Sequence, residues 1–250
     1  MNGELYRECE LKFKISNQEV ENDLYKLILE KGYTYYKTVL QTDFILDTID
    51  YSCKDSNLLF RIREEMDTNN KNSVWIITIK IKGRSKDFQD NYEIEFPVDG
   101  LENKKHDLVV DVLKGTTSIK LSSHIFRCNN VENLICDLIQ SGFSEYSIMQ
   151  KKRSYHKGSK SNVMFDIFPE PIGKFLEIET FNEHDLYETV KLLNLRREEM
   201  EQRTYGKIVL DKNRYCIFES EFTMRTRVGK NVDFYRFIMN VVNKYKNTNE

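Results

Sequence analysis

The chain is poor in the residues that staple small folds or bind metals through soft ligands. Its five cysteines, Cys9, Cys53, Cys128, Cys136 and Cys216, are an odd number, widely spaced and without a CxxC pair, and only four histidines accompany them. A disulfide framework and a zinc site are therefore not expected, and a reducing cytoplasm suits the free thiols. The opening MNGELYRECE has no apolar signal core, and no stretch approaches the roughly 18 apolar residues of a membrane span, so neither export nor membrane insertion is expected. An excess of one charge is also missing. Against 38 Lys and Arg stand 40 Asp and Glu, for a net charge of -2 and a pI near 6.2. That balance argues against a general binder of nucleic acid or membrane surfaces, while leaving room for a basic interior that the sum conceals.

What is present is alternation. In ECELKFKI, Glu8, Glu10, Lys12 and Lys14 alternate with Cys9, Leu11, Phe13 and Ile15, so a strand here carries acids and bases on one face and apolar groups on the other. Two like charges about 7 Å apart on that face repel by roughly 2 kcal/mol at an effective dielectric near 20, so a positive group is expected between the glutamates. Any half-buried sheet has a polar face, and one such strand decides nothing. The pattern recurs, however. LLFRIREE aligns Arg61 with Arg63, VWIITIKIKG aligns Thr78, Lys80 and Lys82, and YEIEF aligns Glu93 with Glu95. IMQKKRSY aligns Lys151, Arg153 and Tyr155, VMFDIF presents Asp166, and FLEIET aligns Glu177 with Glu179. Most of these faces carry one sign of charge. If they converge inside one closed sheet, the lining suits a hard divalent cation together with a highly anionic ligand.

At 250 residues with 40% hydrophobic and 12% aromatic content, the chain can bury a full core, and one domain with a small appendage is expected. Ser16 and Glu19 form a capping-box pattern ahead of a helix over about 17–31 that Gly32 is placed to end. Strands are expected near 37–48, 57–65 and 74–82, with NYEIEFPV next. Helices follow near 104–114 and 130–141, the latter striped by Val131, Leu134, Ile135, Leu138 and Ile139. Strands near 147–156, 162–168 and 174–180 complete the sheet, and Asn182 caps a helix over about 183–195. The segments LILEKGYTYYKTVLQTDFILD and LIQSGFSEYSIMQKKRSYH echo one another, which suggests two related halves. Residues 212–250 form a separate strand-helix extension with no legible chemistry, leaving 1–211 as the main domain.

The ordered blocks ECELKFKI, QTDFILD, LLFRIRE, ITIKIKG, YEIEF, QKKRSY, VMFDIF, GKFLEIE and QRTYGKIVL resemble the CYTH family of triphosphate tunnel metalloenzymes over about residues 4–211. The family's ExExK signature corresponds to Glu8, Glu10 and Lys12. The resemblance implies an α+β fold built on an antiparallel eight-stranded β-barrel, with helices packed outside and a triphosphate held in the tunnel with Mg2+ or Mn2+. Carried onto this chain, Glu8, Glu10, Asp166, Glu177 and Glu179 fall on the metal side. Lys12, Lys14, Arg61, Arg63, Lys80, Lys82, Lys151, Arg153 and Arg203 fall on the substrate side, with Glu10, Lys12 and Lys80 as the catalytic set. Thr204 stands where the family usually has serine, and Lys80 and Lys82 compete for one family position. Lys152 points to the opposite face.

The activity so implied is metal-dependent hydrolysis of a triphosphate phosphoanhydride, with inorganic tripolyphosphate, ATP or thiamine triphosphate as the partner. Class IV adenylate cyclases, which make cyclic AMP and pyrophosphate from ATP, share the lining and stand as the alternative. A polyphosphate or nucleotide sensor without turnover is a further one, against which the full carboxylate set speaks. No membrane is expected as a partner, and no nucleic acid except a 5'-triphosphate RNA end. Asp43 and Asp47 are divided between tunnel and turn, and Glu93 and Glu95 between metal binding and countering Arg61 and Arg63. His106, His124, His156 and His184 are read as surface or boundary residues, and Trp75 as outer-wall packing.

Overall fold

The computed structural model describes residues 6–98, 103–119, 121–122, 125–126, 131–143, 145–210 and 215–216. Period-2 alternation becomes strand where expected: β1 (Tyr6–Ile15), β2 (Thr34–Asp47), β3 (Leu58–Asp67), β4 (Ser73–Lys82), β5 (Gln89–Pro97), β6 (Glu145–Lys157), β7 (Asn162–Ile167) and β8 (Lys174–Thr180). They pair antiparallel in the order β2-β3-β4-β5-β1-β8-β7-β6, and β6 pairs back onto β2 to close an eight-stranded barrel. Closure leaves no unpaired edge among these strands. A short β9 (Tyr215–Cys216) adds in parallel to Ile148 and Met149 of β6. The extension expected over 212–250 otherwise lies outside the described residues.

The helices are α1 (Gln18–Glu30), α2 (Ser52–Asp55), α3 (Asn103–Thr116), α4 (Val131–Gln140), α5 (Glu183–Leu192) and α6 (Tyr205–Leu210). None among the described residues is long and apolar enough to cross a membrane. The start of α1 corrects the capping-box expectation: Asn17, not Ser16, is the cap, its side chain accepting from the Val20 N–H at 3.0 Å. Asn182 caps α5 as expected, accepting from the Asp185 N–H at 2.9 Å.

The apolar core lies outside the barrel wall. Phe60, Ile62, Ile77, Ile79, Ile94 and Phe96 of β3 to β5 pack under α3 and α4, and Trp75 joins them, stacked on Phe44. On the other side, Cys9, Leu11, Phe13, Val163, Leu176 and Ile178 pack under α1 and α5. Each such side chain stabilises the fold by roughly 1.5–3 kcal/mol when buried, so stability is drawn from the two outer layers and the inner face is released from apolar packing. His106 and His156 are buried in these outer layers, a correction to their reading as surface residues. His184 is the second residue of α5, and His124 lies outside the described residues. Cys9, Cys53 and Cys136 form no disulfide.

The charged stripe becomes apolar at one end of the barrel. Two residues on from Asp43, Asp166, Lys151 and Glu177, the same faces carry Ile45, Phe168, Met149 and Phe175. These pack with Ile172 and with Tyr205 and Ile208 of α6 into a small separate cluster.

Candidate active site inside the barrel

Cross-strand register brings the alternating faces together. Glu10 lies opposite Glu179 and Lys12 opposite Glu177; Asp43 lies opposite Arg63, Lys80 opposite Glu93, and Arg153 opposite Asp166. Glu8, Glu10, Lys12, Asp43, Arg61, Arg63, Glu93, Lys151, Arg153, Asp166 and Glu177 are all buried, far from the usual lot of charged side chains. Such groups persist only when paired, and here they form three linked groups.

The first centres on Lys80, whose Nζ donates to Glu8 Oε2 at 2.5 Å and lies 2.9 Å from Glu93 Oε2. Lys82 is at the exposed end of β4, so Lys80 is the one that enters the interior. The second centres on Asp43, which accepts from Arg63 Nε and Nη2 at 2.6 and 2.9 Å and sits 3.5 Å from Arg61. Arg61 also reaches Glu95 at 3.3 Å and Glu93 at 3.8 Å. Asp47, by contrast, accepts from the backbone N–H of the adjacent Thr48 and from those of Cys53 and Lys54 in α2. In the third, Arg153 donates to Asp166 through two nitrogens at 2.6 Å each and to Glu177 at 2.5 Å, while Lys151 donates to Asp166 at 2.8 Å. Glu179 lies 3.7 Å from Arg153, and Lys12 donates to Glu10 at 2.6 Å.

Besides Lys82, two substrate-side expectations fall at the margin. Lys14 is exposed at the end of β1. Arg203 is half-exposed and chelates Glu201 through Nε and Nη2 at 2.9 and 2.8 Å. The residue of that block that does reach the interior is Tyr205, with Lys12 and Lys151 Nζ at 4.9 and 4.6 Å from its ring centroid. Sequence reading also passed over Gln41 and Glu65. Gln41 Nε2 donates to Glu65 Oε1 at 2.6 Å and to the Tyr155 hydroxyl at 2.9 Å, and Lys37 donates to Glu65 at 2.8 Å. Gln41 stands on the same face as Asp43, two positions away, and that spacing was the available signal.

Electrostatics divide the carboxylates. Burial opposes ionisation of Glu8, but Lys80 and hydrogen bonds with Glu93 and Glu179 bring it down to about 2. Burial likewise opposes Glu177, yet Arg153, Lys151 and Lys12 hold it low. Glu10 is pushed up by burial and by Glu177, and Glu179 by burial and by Glu8. Lys151 is lowered to about 8 by burial and by Arg153.

Among the described residues, no three acidic, histidine or cysteine side chains are arranged as a ready-made metal cluster. Their chemistry nonetheless fits a hard cation. Every donor is a carboxylate oxygen, Glu177 Oε2 is buried without a hydrogen-bond partner, and Glu10 and Glu179 are held above the ordinary carboxylate range by burial and by the neighbouring carboxylates Glu177 and Glu8. Asp166 differs, since both of its oxygens are engaged by Arg153 and Lys151.

The sequence pattern of the CYTH domain matches residues 6–205. Among solved structures, the PH1819 protein of Pyrococcus horikoshii OT3 superposes with a TM-score of 0.60 at 18% identity, covering 82% of this chain and 99% of that one. The PH1012 protein of the same organism gives 0.52 at 19% identity, over 80% and 98%. An adenylate cyclase candidate from Vibrio parahaemolyticus gives 0.52 at 14%, over 83% and 99%. At these identities the likeness establishes a common fold. No curated protein matches the sequence.

Proposed function

Because the chain belongs to the CYTH domain family, we propose that it is a metal-dependent triphosphatase that hydrolyses a phosphoanhydride bond inside its charged barrel. The observation that carries this reading is the pairing of buried cations with buried carboxylates in one interior. A pure anion receptor would do better without the carboxylates, and a pure cation site without the lysines and arginines.

Arg61, Arg63, Lys80, Lys151, Arg153 and Lys12 take the triphosphate chain, exchanging part of their present carboxylate contacts for phosphate oxygens. Asp43 and Asp166 hold the arginines in place through two-point contacts. Glu8, Glu10, Glu177 and Glu179 would hold magnesium or manganese, which when bound neutralises phosphate charge and polarises the phosphoryl oxygens. Lys14, Lys82 and Arg203 lie at the margin, where they attract the anion toward the barrel. In the chemical step a water oxygen bonds to the terminal phosphorus as the bond to the bridging oxygen breaks, and the bridging oxygen leaves with the electron pair. Glu10 accepts the water's proton.

The test is product analysis with tripolyphosphate, ATP and thiamine triphosphate, comparing magnesium with manganese. Orthophosphate release from at least one of them is expected. Cyclic AMP and pyrophosphate from ATP would replace hydrolysis by cyclisation, and binding without any product would make the protein a sensor.

A further inference from the structure

We propose that the outer layer of the protein carries a second anion site, a cavity beside Tyr33 that takes the phosphoryl group of a small phosphorylated molecule or of free phosphate. This site lies behind the barrel wall and does not depend on the triphosphatase reading.

The C-terminal end of α1, the turn between β6 and β7, and one side of α5 enclose a cavity of about 580 Å³ whose wall includes Tyr33 and Thr189. That volume is in the range of small-molecule sites. Tyr33 belongs to the apolar cluster under α1 and α5, so the sheet separates this space from the charged interior. The turn is built around the tyrosine: a Cβ on Gly158 would lie 2.5 Å from Tyr33 Cε1 and drive the ring away. The ring is held with its hydroxyl 2.5 Å from Ser161 Oγ, and Thr189 Oγ1 donates to the same oxygen at 2.9 Å. All three residues are buried. Three hydroxyls joined by two hydrogen bonds use two protons, and the third proton has no acceptor in the string. When Ser161 donates onward to Tyr33, that spare donor is the Tyr33 hydroxyl in the cavity wall. A buried donor without an acceptor is unfavourable, and an anion in the cavity supplies one.

The other groups of the wall favour the same charge. Lys160 pairs with Asp185 at 3.4 Å, and Asp185 is also held by Asn182 Nδ2 at 2.8 Å. Among the described residues, Lys31, Lys191 and Glu188 stand in no ion pair, and the N–H groups of Ser159 and Lys160 in the turn carry no backbone hydrogen bond. Carbonyls that would repel an anion at the two helix ends are already engaged. The N–H groups of Lys31, Gly32 and Tyr33 reach Leu27, Leu29 and Ile28, and those of Leu193, Asn194 and Leu195 reach Thr189, Lys191 and Val190. Two ammonium groups, two N–H groups and a hydroxyl therefore face one carboxylate. Phosphoryl oxygens accept several charge-assisted hydrogen bonds and suit that set. A single phosphate fills a small part of the space, and half-exposed Leu192 gives the remainder an apolar edge for an organic group.

The experiment titrates the full chain, in the presence of a chelator, with inorganic phosphate and with glycerol 3-phosphate by calorimetry, and locates the contact by hydrogen exchange. Binding of at least one probe is expected, with slowed exchange in the β6–β7 turn and in α5. Lys31→Gln combined with Lys191→Gln should weaken it roughly tenfold or more, the range for lost hydrogen bonds to a charged group. Lys31→Arg combined with Lys191→Arg should restore it. Lys26→Gln, on an exposed lysine of α1 that does not line the cavity, should leave it unchanged. All of these variants should keep the Tm and the triphosphate turnover of wild type. Equal affinity for the two probes identifies free phosphate as the ligand, and tighter binding of the monoester identifies a phosphorylated small molecule. No binding of either probe at millimolar concentration, or binding that the double glutamine variant retains in full, overturns the site. Neither result touches the triphosphatase reading, which stands or falls on turnover.

Discussion

A carboxylate buried among carboxylates keeps its charge only where a cation stands against it. Glu8 has Lys80 at 2.5 Å, whereas Glu10 has Glu177 as well as Lys12 in its field and stays raised. Glu10→Gln removes that repulsion with little change of shape. It is expected to leave Tm unchanged or higher while lowering kcat for the best triphosphate at least a hundredfold, the range for losing a general base. Retention of most of the turnover would take Glu10 out of the mechanism. Period-2 spacing alone made Glu8, Glu10, Lys12, Arg61, Arg63, Lys151, Arg153 and Glu177 legible, because a strand has only two faces. It could not separate Asp43 from Asp47, which share a face: one meets Arg63 and the other caps α2. Nor could it find Tyr205, whose place beside Lys12 and Lys151 depends on where α6 packs.

Between elements, the two echoing segments turn out to be partners. In both, the helix ends with a glycine at positive φ, Gly32 and Gly142, and the next N–H, from Tyr33 or Phe143, reaches back to the carbonyl of Ile28 or Leu138. Each helix therefore delivers its chain into a long strand, and those strands, β2 and β6, pair with each other to close the barrel. The outer wall of β6 contains a second titratable group. His156 is buried between Tyr25 of α1, Tyr35 and Phe165, and burial lowers its pKa below the ordinary 6.5. The unfolded chain then binds the proton more readily than the folded one, so this contribution is intact above pH 6.5 and is lost as pH falls through that value toward the folded pKa. One proton limits the slope to about 1.4 kcal/mol per pH unit. His156→Phe is expected to flatten this part of the acid limb in denaturant titrations at successive pH values. An unchanged slope would show that other groups set it.

For the whole molecule, an interior of paired charges contributes little to stability on its own, since desolvation offsets attraction; two apolar layers under α1 with α5 and α3 with α4 hold the barrel closed instead. Ligand binding should therefore appear directly as added stability. Tripolyphosphate with magnesium at about a hundred times its Kd contributes about 2.7 kcal/mol, a rise of roughly 5–11 °C in Tm for a chain of this size. A chelator should reverse the magnesium-dependent part. A Tm indifferent to both would mean that the interior does not take this ligand class.

Alternation along each segment was sufficient to determine strand identity, the division into a charged and an apolar face, and the residues of each face, because side-chain direction in a strand is a local property of the backbone. Which charges meet, which end of the barrel is plugged and which of Lys80 and Lys82 enters it were decided only by closure. Register and strand order bring together residues as distant as Glu8 and Lys80, and no local pattern encodes a contact between segments that far apart in the chain.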